Sequence, residues 1–531
     1  MASNRCVASL TKISTETLHS AQGVSYRSQG SLLIVCDAPF DLAPLHEVGV
    51  PGPTVLVWEG PAAPAARPGD SEIRCVQGRV TALSGWLGEF SFELASVSRG
   101  AAQGSGPGGA RTFDLVIDLS ASPLIERSVP PLGYFAPRTP AGLASALEQC
   151  KDLVGRFAKP KYFHYELGLC AHASFGQPGC TRCLDVCAAD AIRSEGDRIS
   201  VEPHLCQGCA ACTLACPTGA LSFTGPTRDT LLEQVERAIA SAGVPNPTLV
   251  IHPPGVAVPA LAPDDCVDLA VEPLAAFGEE IWFAALARGA GRIVLLADDS
   301  VPEETRRLLQ ARLEIARTVL DACGQAPDAV SLAERLEDVR VLAGGRRVTE
   351  RPAADPVDLS SPLPTHHKRA LLTRSLARLE PAEEFEPRAL DDGSPLGAIV
   401  VDEQRCTLCS ACVKICPTAA LRYTTTDEPG SGSAWLAFAE EVCVQCGACE
   451  RGCPEDAISL QPRIAALADR GFWRVLSSGP LASCADCGNG FMPRKLLDAS
   501  IRRTEAAGMP PAAVEQMQRC PDCRHRRLNR S

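Results

Sequence analysis

No stretch of the 531-residue chain approaches the run of about 18 apolar residues that a membrane helix needs, so no span is expected. Residues 1–20, "MASNRCVASLTKISTETLHS", lack the apolar core of a secretory signal, which points to a cytoplasmic location. Basic excess is missing too. The net charge is -12, and an acidic chain is a poor bulk binder of nucleic acid or anionic membrane. Aromatic residues make up only 5%, against 43 glycines and 43 prolines, which favours loop-rich modules over one large aromatic core. A nucleotide loop is absent in all but letters. "GSGPGG" at 104–109 fits G-x-G-x-x-G, but Pro107 interrupts it and the strand-like "TFDLVIDL" follows where a helix should. Hydride chemistry needs a flavin, nicotinamide or molybdenum site, and no motif for one is present. No catalytic residue is therefore expected.

What the chain has in abundance is cysteine, 26 in all. Without an export signal, and with C-x-x-C spacing repeated, metal ligation is a better reading than disulfides. Three runs share the spacing C-x2-C-x2-C-x3-C-P: "CQGCAACTLACP" from Cys206, "CTLCSACVKICP" from Cys406 and "CVQCGACERGCP" from Cys443. This is the ligand run of a bacterial [4Fe–4S] site. Three closely spaced thiolates wrap one cubane. The fourth is expected to start a short helix leading away, with Pro in its first turn. After each last cysteine comes Ala at the fourth position and Ile or Leu at the fifth: "CPTGAL", "CPTAAL", "CPEDAI". Cys187 begins "CAADAI", the same rule without the Pro. A strand-like stretch precedes each regular run: "RISVEPHLC", "AIVVDEQRC", "WLAFAEEVC". The unit reads as strand, ligand loop, short helix, strand, and it occurs in two adjacent pairs.

These motifs resemble the bacterial two-cluster ferredoxin family over about 70 residues in each of two places. The family's crossed ligation implies four [4Fe–4S] clusters. One is held by Cys406, Cys409, Cys412 and Cys453. A second is held by Cys443, Cys446, Cys449 and Cys416. A third takes Cys206, Cys209, Cys212 and Cys187. The fourth takes Cys180, Cys183, Cys216 and Cys170, with "AHASFGQPG" looped out between the first two ligands of that run. His172, inside the insertion, is the alternative to Cys170. Four zinc knuckles on the same sixteen thiolates are disfavoured by the trailing Pro and the x3 gap, since zinc sites more often repeat C-x2-C pairs at a distance.

The fold class expected is multidomain α+β: two ferredoxin-like 2[4Fe–4S] domains flanked by small α/β domains and a zinc-ribbon-like tail. In 1–150, "SLLIVC", "TVLVW" and "FDLVIDL" read as buried strands of an α/β domain. The first ferredoxin domain spans 155–225. An α/β scaffold follows at 226–345, with strands "TLVIH" and "RIVLLAD" and helices "EEIWFAALARGA" and "PEETRRLLQARLEIARTVLDACG". "ALARGAGRIVLLA" and, more faintly, "RCVQGRV" at 74–80 resemble the iron–sulfur delta subunit that couples hydrogenase to heterodisulfide reductase. Asp298, Asp299 and Ser300 stand where that family has cysteines, so no cluster is expected there and the domain reads as a docking scaffold. Residues 346–395 read as a linker within which "THHKRALLTRSLARL" can form a basic amphipathic helix with a solvated face. The second ferredoxin domain spans 396–465. In 480–525, Cys484, Cys487, Cys520 and Cys523 form two C-x2-C pairs that suit one zinc ion. The other six cysteines, Cys6, Cys36, Cys75, Cys150, Cys266 and Cys323, are expected to be buried apolar side chains, with a Cys36–Cys75 dithiol disfavoured.

A cubane closed by four thiolates exchanges an electron but offers no open iron to a substrate. The expectation is an electron-transfer protein serving a redox partner or a larger oxidoreductase complex, with nucleic acid an unlikely partner. "FHYELGLCAHASFGQPGCTRCLDVC" and "MQRCPDCRHRR" resemble a bacterial multi-cluster iron–sulfur protein associated with molybdenum formate dehydrogenase. The alternatives are a flavin-dependent catalytic subunit of heterodisulfide-reductase type and a redox-sensing regulator acting through the tail.

Overall fold

The computed structural model describes residues 11–12, 23–37, 40–59, 73–95, 112–174, 176–256, 265–345, 348, 368–381, 385–426 and 432–528. The "GSGPGG" stretch, Cys6 and the first residues of "THHKRALLTRSLARL" lie outside them. The chain divides into two compact units. The first comprises 1–162 with 187–193 and 201–208, and the second comprises 163–186, 194–200 and 209–531.

In the first unit, β1 (Leu32–Cys36), β2 (Thr54–Trp58), β3 (Ile73–Gln77), β4 (Leu115–Asp118) and a short strand at Tyr134–Phe135 form a five-stranded parallel sheet. The continuous apolar run of β1 is explained by burial on both faces. Leu32 and Ile34 face α1 (Pro140–Asp152) through Leu143 and Leu147, while Leu33 and Val35 pack with Val57, Val116 and Phe90 on the other side. α1 starts where Thr139 Oγ1 accepts the Gly142 N–H, with Pro in its first turn. Cys36 and Cys75 pair with Trp58 and Leu56 on opposite edges of β2. Two inter-strand spacings, about 9.6 Å, separate them, too far for a disulfide. Cys36, Cys150 and Cys323 are buried as expected, whereas Cys75 and Cys266 are only half-buried.

The second unit has a parallel α/β layer. β5 (Thr248–His252) lies between a strand at Cys266–Ala270 and β6 (Arg292–Leu296), and Val330–Ala333 completes the sheet. Its helices include α2 (Glu279–Arg288) and α3 (Glu303–Ala322), both with acidic first turns. The stretch expected to be a linker holds α4 (Lys368–Leu379), which packs into this core through Leu372, Leu376 and Leu379. Its polar residues misled the reading: Lys368 and Ser375 are buried and the Lys368 amine is satisfied by carbonyls.

The second cysteine region supplies the strands that frame its runs. β7 (Gly397–Val401) pairs antiparallel with β8 (Ile458–Ile464), and Leu421–Thr425 pairs with Ser433–Ala439, which pairs in turn with β9 (Trp473–Ser483). β9 continues into a hairpin with Gly490–Pro493, followed by α5 (Arg494–Ala506). No helix among the described residues is long and apolar enough to cross a membrane.

Candidate iron–sulfur and metal centres

Each regular run folds by the same local rule. The second and fourth residues after the first cysteine are left-handed: Gly208 and Ala210, Leu408 and Ser410, Gln445 and Gly447. Alternating handedness turns successive backbone N–H groups toward one side, making a concavity for an anion. The third residue after each last cysteine is also left-handed: Asp190, Gly219, Ala419 and Asp456. Of the described non-glycine residues with positive φ, all but Asn246 lie in these cysteine runs. Such conformations cost about 1–3 kcal/mol each and persist where the surroundings enforce them, commonly at functional sites.

The repeated Ala has a reason. Its N–H donates to the sulfur of the cysteine four residues earlier: Ala191 to Cys187 (3.3 Å), Ala420 to Cys416 (3.3 Å) and Ala457 to Cys453 (3.4 Å). In the fourth copy Ala220 donates to Thr218 Oγ1 instead (3.2 Å), and that hydroxyl lies 3.6 Å from Cys216 Sγ.

The short helices sit one step earlier than the spacing predicted. Ala211–Ala215, Ala411–Ile415 and Ala448–Arg451 each carry the third cysteine and end at or just before the fourth. Cys216 and Cys416 are extended C-caps (ψ 114° and 111°). The following Pro therefore terminates a helix rather than starting one, because a residue before Pro is pushed out of the helical region.

The structure gathers the cysteines as follows. Cys170, Cys180, Cys183 and Cys216 line one pocket together with Tyr165 and Thr218. Cys406, Cys409, Cys412 and Cys453 line another with Tyr423 and Leu436. Cys443, Cys446, Cys449 and Cys416 are mutual electrostatic neighbours: burial first, then the nearby thiols, pushes Cys449 up. Burial and its three partner thiols likewise push Cys412 up to about 12. Crowded buried thiols that resist ionising alone are what a shared cationic centre would relieve. Cys187 and Cys206 pack with Ala189, Ala191, Leu205 and Trp86 in the first unit, whereas Cys209 and Cys212 belong to the second.

At the irregular run, both ring nitrogens of His172 are engaged, Nδ1 with the Cys180 carbonyl (2.9 Å) and Nε2 with Ser194 Oγ (2.7 Å). The Tyr165 hydroxyl is hydrogen-bonded with the Cys170 thiol. Arg182–Asp185 forms a single helical turn, so this run lacks the alternating left-handed residues of the other three.

Buried cations reach these runs, and nothing in the cysteine spacing announced them. Lys159 donates to the carbonyls of His204 and Cys206 (2.9 and 2.8 Å). Lys368 donates to those of Thr213 and Leu214 (3.0 and 2.7 Å), between Cys212 and Cys216. Arg369 holds the Glu441 and Pro395 carbonyls. Burial pulls its guanidinium down to about 10, with the Cys443 thiol working upward. The clearest advance signal was an arginine inside a C-x-x-C spacer, Arg182.

In the tail, the sulfurs of Cys484, Cys487, Cys520 and Cys523 all lie within 4.8 Å of one another. Cys484 and Cys487 occupy the turn of the last hairpin, and Cys520 precedes the helix Pro521–Leu528. Burial raises the Cys484 pKa, but N–H groups of Cys520, Cys487 and Asp486 outweigh it and bring it to about 6. Arg519 fixes the geometry by pairing with Asp486 (3.1 Å) and Glu515 (2.7 Å). Four close thiols of this kind can bind a metal ion.

Comparison with known proteins agrees with the chemistry of the runs. Residues 405–457 match the 4Fe-4S dicluster domain and residues 199–222 the 4Fe-4S binding domain. Residues 170–187 fall outside both matches. A 43-residue segment is 44% identical to Hydrogenase-4 component A of Escherichia coli (strain K12), covering 8% of this chain and 21% of that protein. The chain thus spans about a fifth of the length of the curated relative it matches. It carries two ferredoxin-type 4Fe-4S regions.

Proposed function

We propose that the chain is an electron-transfer protein holding four [4Fe–4S] clusters in two pairs, with a zinc ion stapling its tail. The observation that carries the reading is the grouping of the expected cysteines. Two sets of four each line a pocket, one of them framed by the repeated left-handed backbone, and the thiols of a third set are electrostatic neighbours. The ligand sets are those implied by the resemblance to crossed-ligation ferredoxins, and the set Cys206, Cys209, Cys212 and Cys187 rests on that resemblance alone. The clusters supply one-electron exchange at potentials set by hydrogen bonds, charge and exposure.

The chain's own residues set those terms. Ala191, Ala420 and Ala457 donate N–H groups to sulfur, which favours the more negative, reduced state. Lys159, Lys368 and Arg369 add buried positive charge beside the runs. The α/β layers act as scaffold and docking surface, giving a layout of N-terminal α/β domain, ferredoxin domain, α/β scaffold, ferredoxin domain and tail. The partner is a larger oxidoreductase. The likeness to a hydrogenase component supports a redox complex, and molybdenum formate dehydrogenase is one candidate.

Anaerobic purification with metal counts and EPR tests the whole reading. About 16 iron, matching sulfide and one zinc per chain are expected, since each closed cubane holds four irons. Zinc at about five per chain with no iron would sink it.

A further inference from the structure

Arg182 lies between Cys180 and Cys183, and Arg451 lies between Cys449 and Cys453. Each sends its guanidinium to the other's loop. Arg182 Nη2 donates to the carbonyls of Ser394 (2.9 Å) and Gln445 (3.2 Å). Arg451 Nη2 donates to the carbonyls of Gly179 (2.6 Å) and Cys446 (2.8 Å). Gly179 directly precedes Cys180, and Gln445 directly precedes Cys446. A single nitrogen touching both loops leaves them no further apart than one guanidinium.

The backbone is cleared for this contact. Gly447 is left-handed (φ 76°), and a Cβ there would come within 2.7 Å of Arg451 Nη1. At Gly179 the tight neighbour is its own loop and not Arg451: a Cβ there would fall 2.3 Å from the Ala171 carbonyl oxygen. Arg182 Nη1 is buried without a hydrogen-bond partner among the described residues. An unpaired buried donor is destabilising, so it is held for its charge or for an acceptor the protein itself does not supply.

We propose that Arg182 and Arg451 are positioning residues that clamp the cysteine set 170, 180, 183 and 216 to the set 416, 443, 446 and 449 as one redox unit, and make reduction at both easier. The proposal rests on the four-cluster reading. A cubane with four thiolates is anionic and gains a further negative charge on reduction. Two such anions side by side oppose each other's reduction, and the cations held between the two loops, Arg182 half-buried and Arg451 exposed, offset that repulsion. The Arg fork also fixes the separation, since it holds two carbonyls at once where a lysine is a point charge.

The test uses the full-length chain, purified anaerobically, as wild type, Arg182→Gln/Arg451→Gln and Arg182→Lys/Arg451→Lys. Iron content, potentiometric EPR titration and the magnetic broadening between reduced centres are read for each. The Gln pair is expected to keep its iron while two midpoint potentials fall. The shift corresponds to roughly a tenfold change in the reduction equilibrium, about 59 mV for one electron, with weaker broadening. The Lys pair should recover the potentials and not the broadening. A fully iron-loaded Gln pair with wild-type potentials and line shape overturns the clamp. If the Gln pair is short of iron, the Lys pair decides: full loading with unaltered broadening overturns the clamp as well. A wild-type chain without iron overturns the four-cluster reading instead, so the two failures are distinct.

Discussion

His172 lines the same pocket as Cys170, Cys180, Cys183 and Cys216, but both its ring nitrogens are already in hydrogen bonds. Cys170→Ser should therefore lower the iron count by about one cubane, about four irons, and remove one EPR component. His172→Ala should leave the count unchanged. Iron assay of both variants decides, and the reverse pattern would make His172 the ligand. Ala419 offers a second residue-level test. It is exposed and left-handed (φ 53°), so it has strain to lose and no packing to give up. Ala419→Gly should raise stability by about 1 kcal/mol, seen as a higher unfolding midpoint.

Among the elements, α4 carries a buried ionic cluster. Lys368 and Arg228 flank the fully buried Glu280 at 3.6 and 3.1 Å. Burial works to raise the Glu280 pKa, and the two cations outweigh it and hold it below the usual 4.5. A depressed carboxylate adds stability above the unfolded pKa and loses it as pH falls through the folded one. Lys368→Met should cost about 3 kcal/mol and move the onset of acid unfolding to higher pH, measured by titrating unfolding from neutral pH downward. The sequence made β1, β5, β6, α2 and α3 readable because their periodicity and apolar runs reflect burial directly. It offered α4 as an amphipathic helix but concealed its burial, because buried Lys and Ser imitate a solvated face. The ferredoxin-type character of the cysteine runs was readable from spacing. The positions of the short helices were not, since Pro signals a helix start and a helix stop with the same letter. The left-handed positions were hidden for a related reason: Leu408, Ser410 and Gln445 are not residues that advertise positive φ.

For the whole molecule, the tail is the separable part. It is tied to the second cysteine region by the pairing of Gly490–Pro493 with β9, by the Arg503–Glu455 ion pair and by Lys495 Nζ on the Glu403 carbonyl (3.0 Å). Its own four thiols hold its far end together. A zinc chelator should leave iron content and EPR unchanged while residues 484–528 become protease-sensitive. Iron lost in step with zinc would show that the tail thiols share in holding the iron. Limited proteolysis with parallel metal analysis makes the distinction.

The contact between Arg451 and Gly179 spans 272 residues of chain. At ribosomal rates of about 5–20 residues per second, the Gly179 loop waits roughly 15 to 55 s for its arginine to be synthesised. Through that interval Cys170, Cys180 and Cys183 exist before the arginine that reaches their loop. The Gly179 loop gains that contact only once residue 451 has been made. A message truncated before codon 451 would yield a product with its earliest cysteines intact and no arginine to secure them.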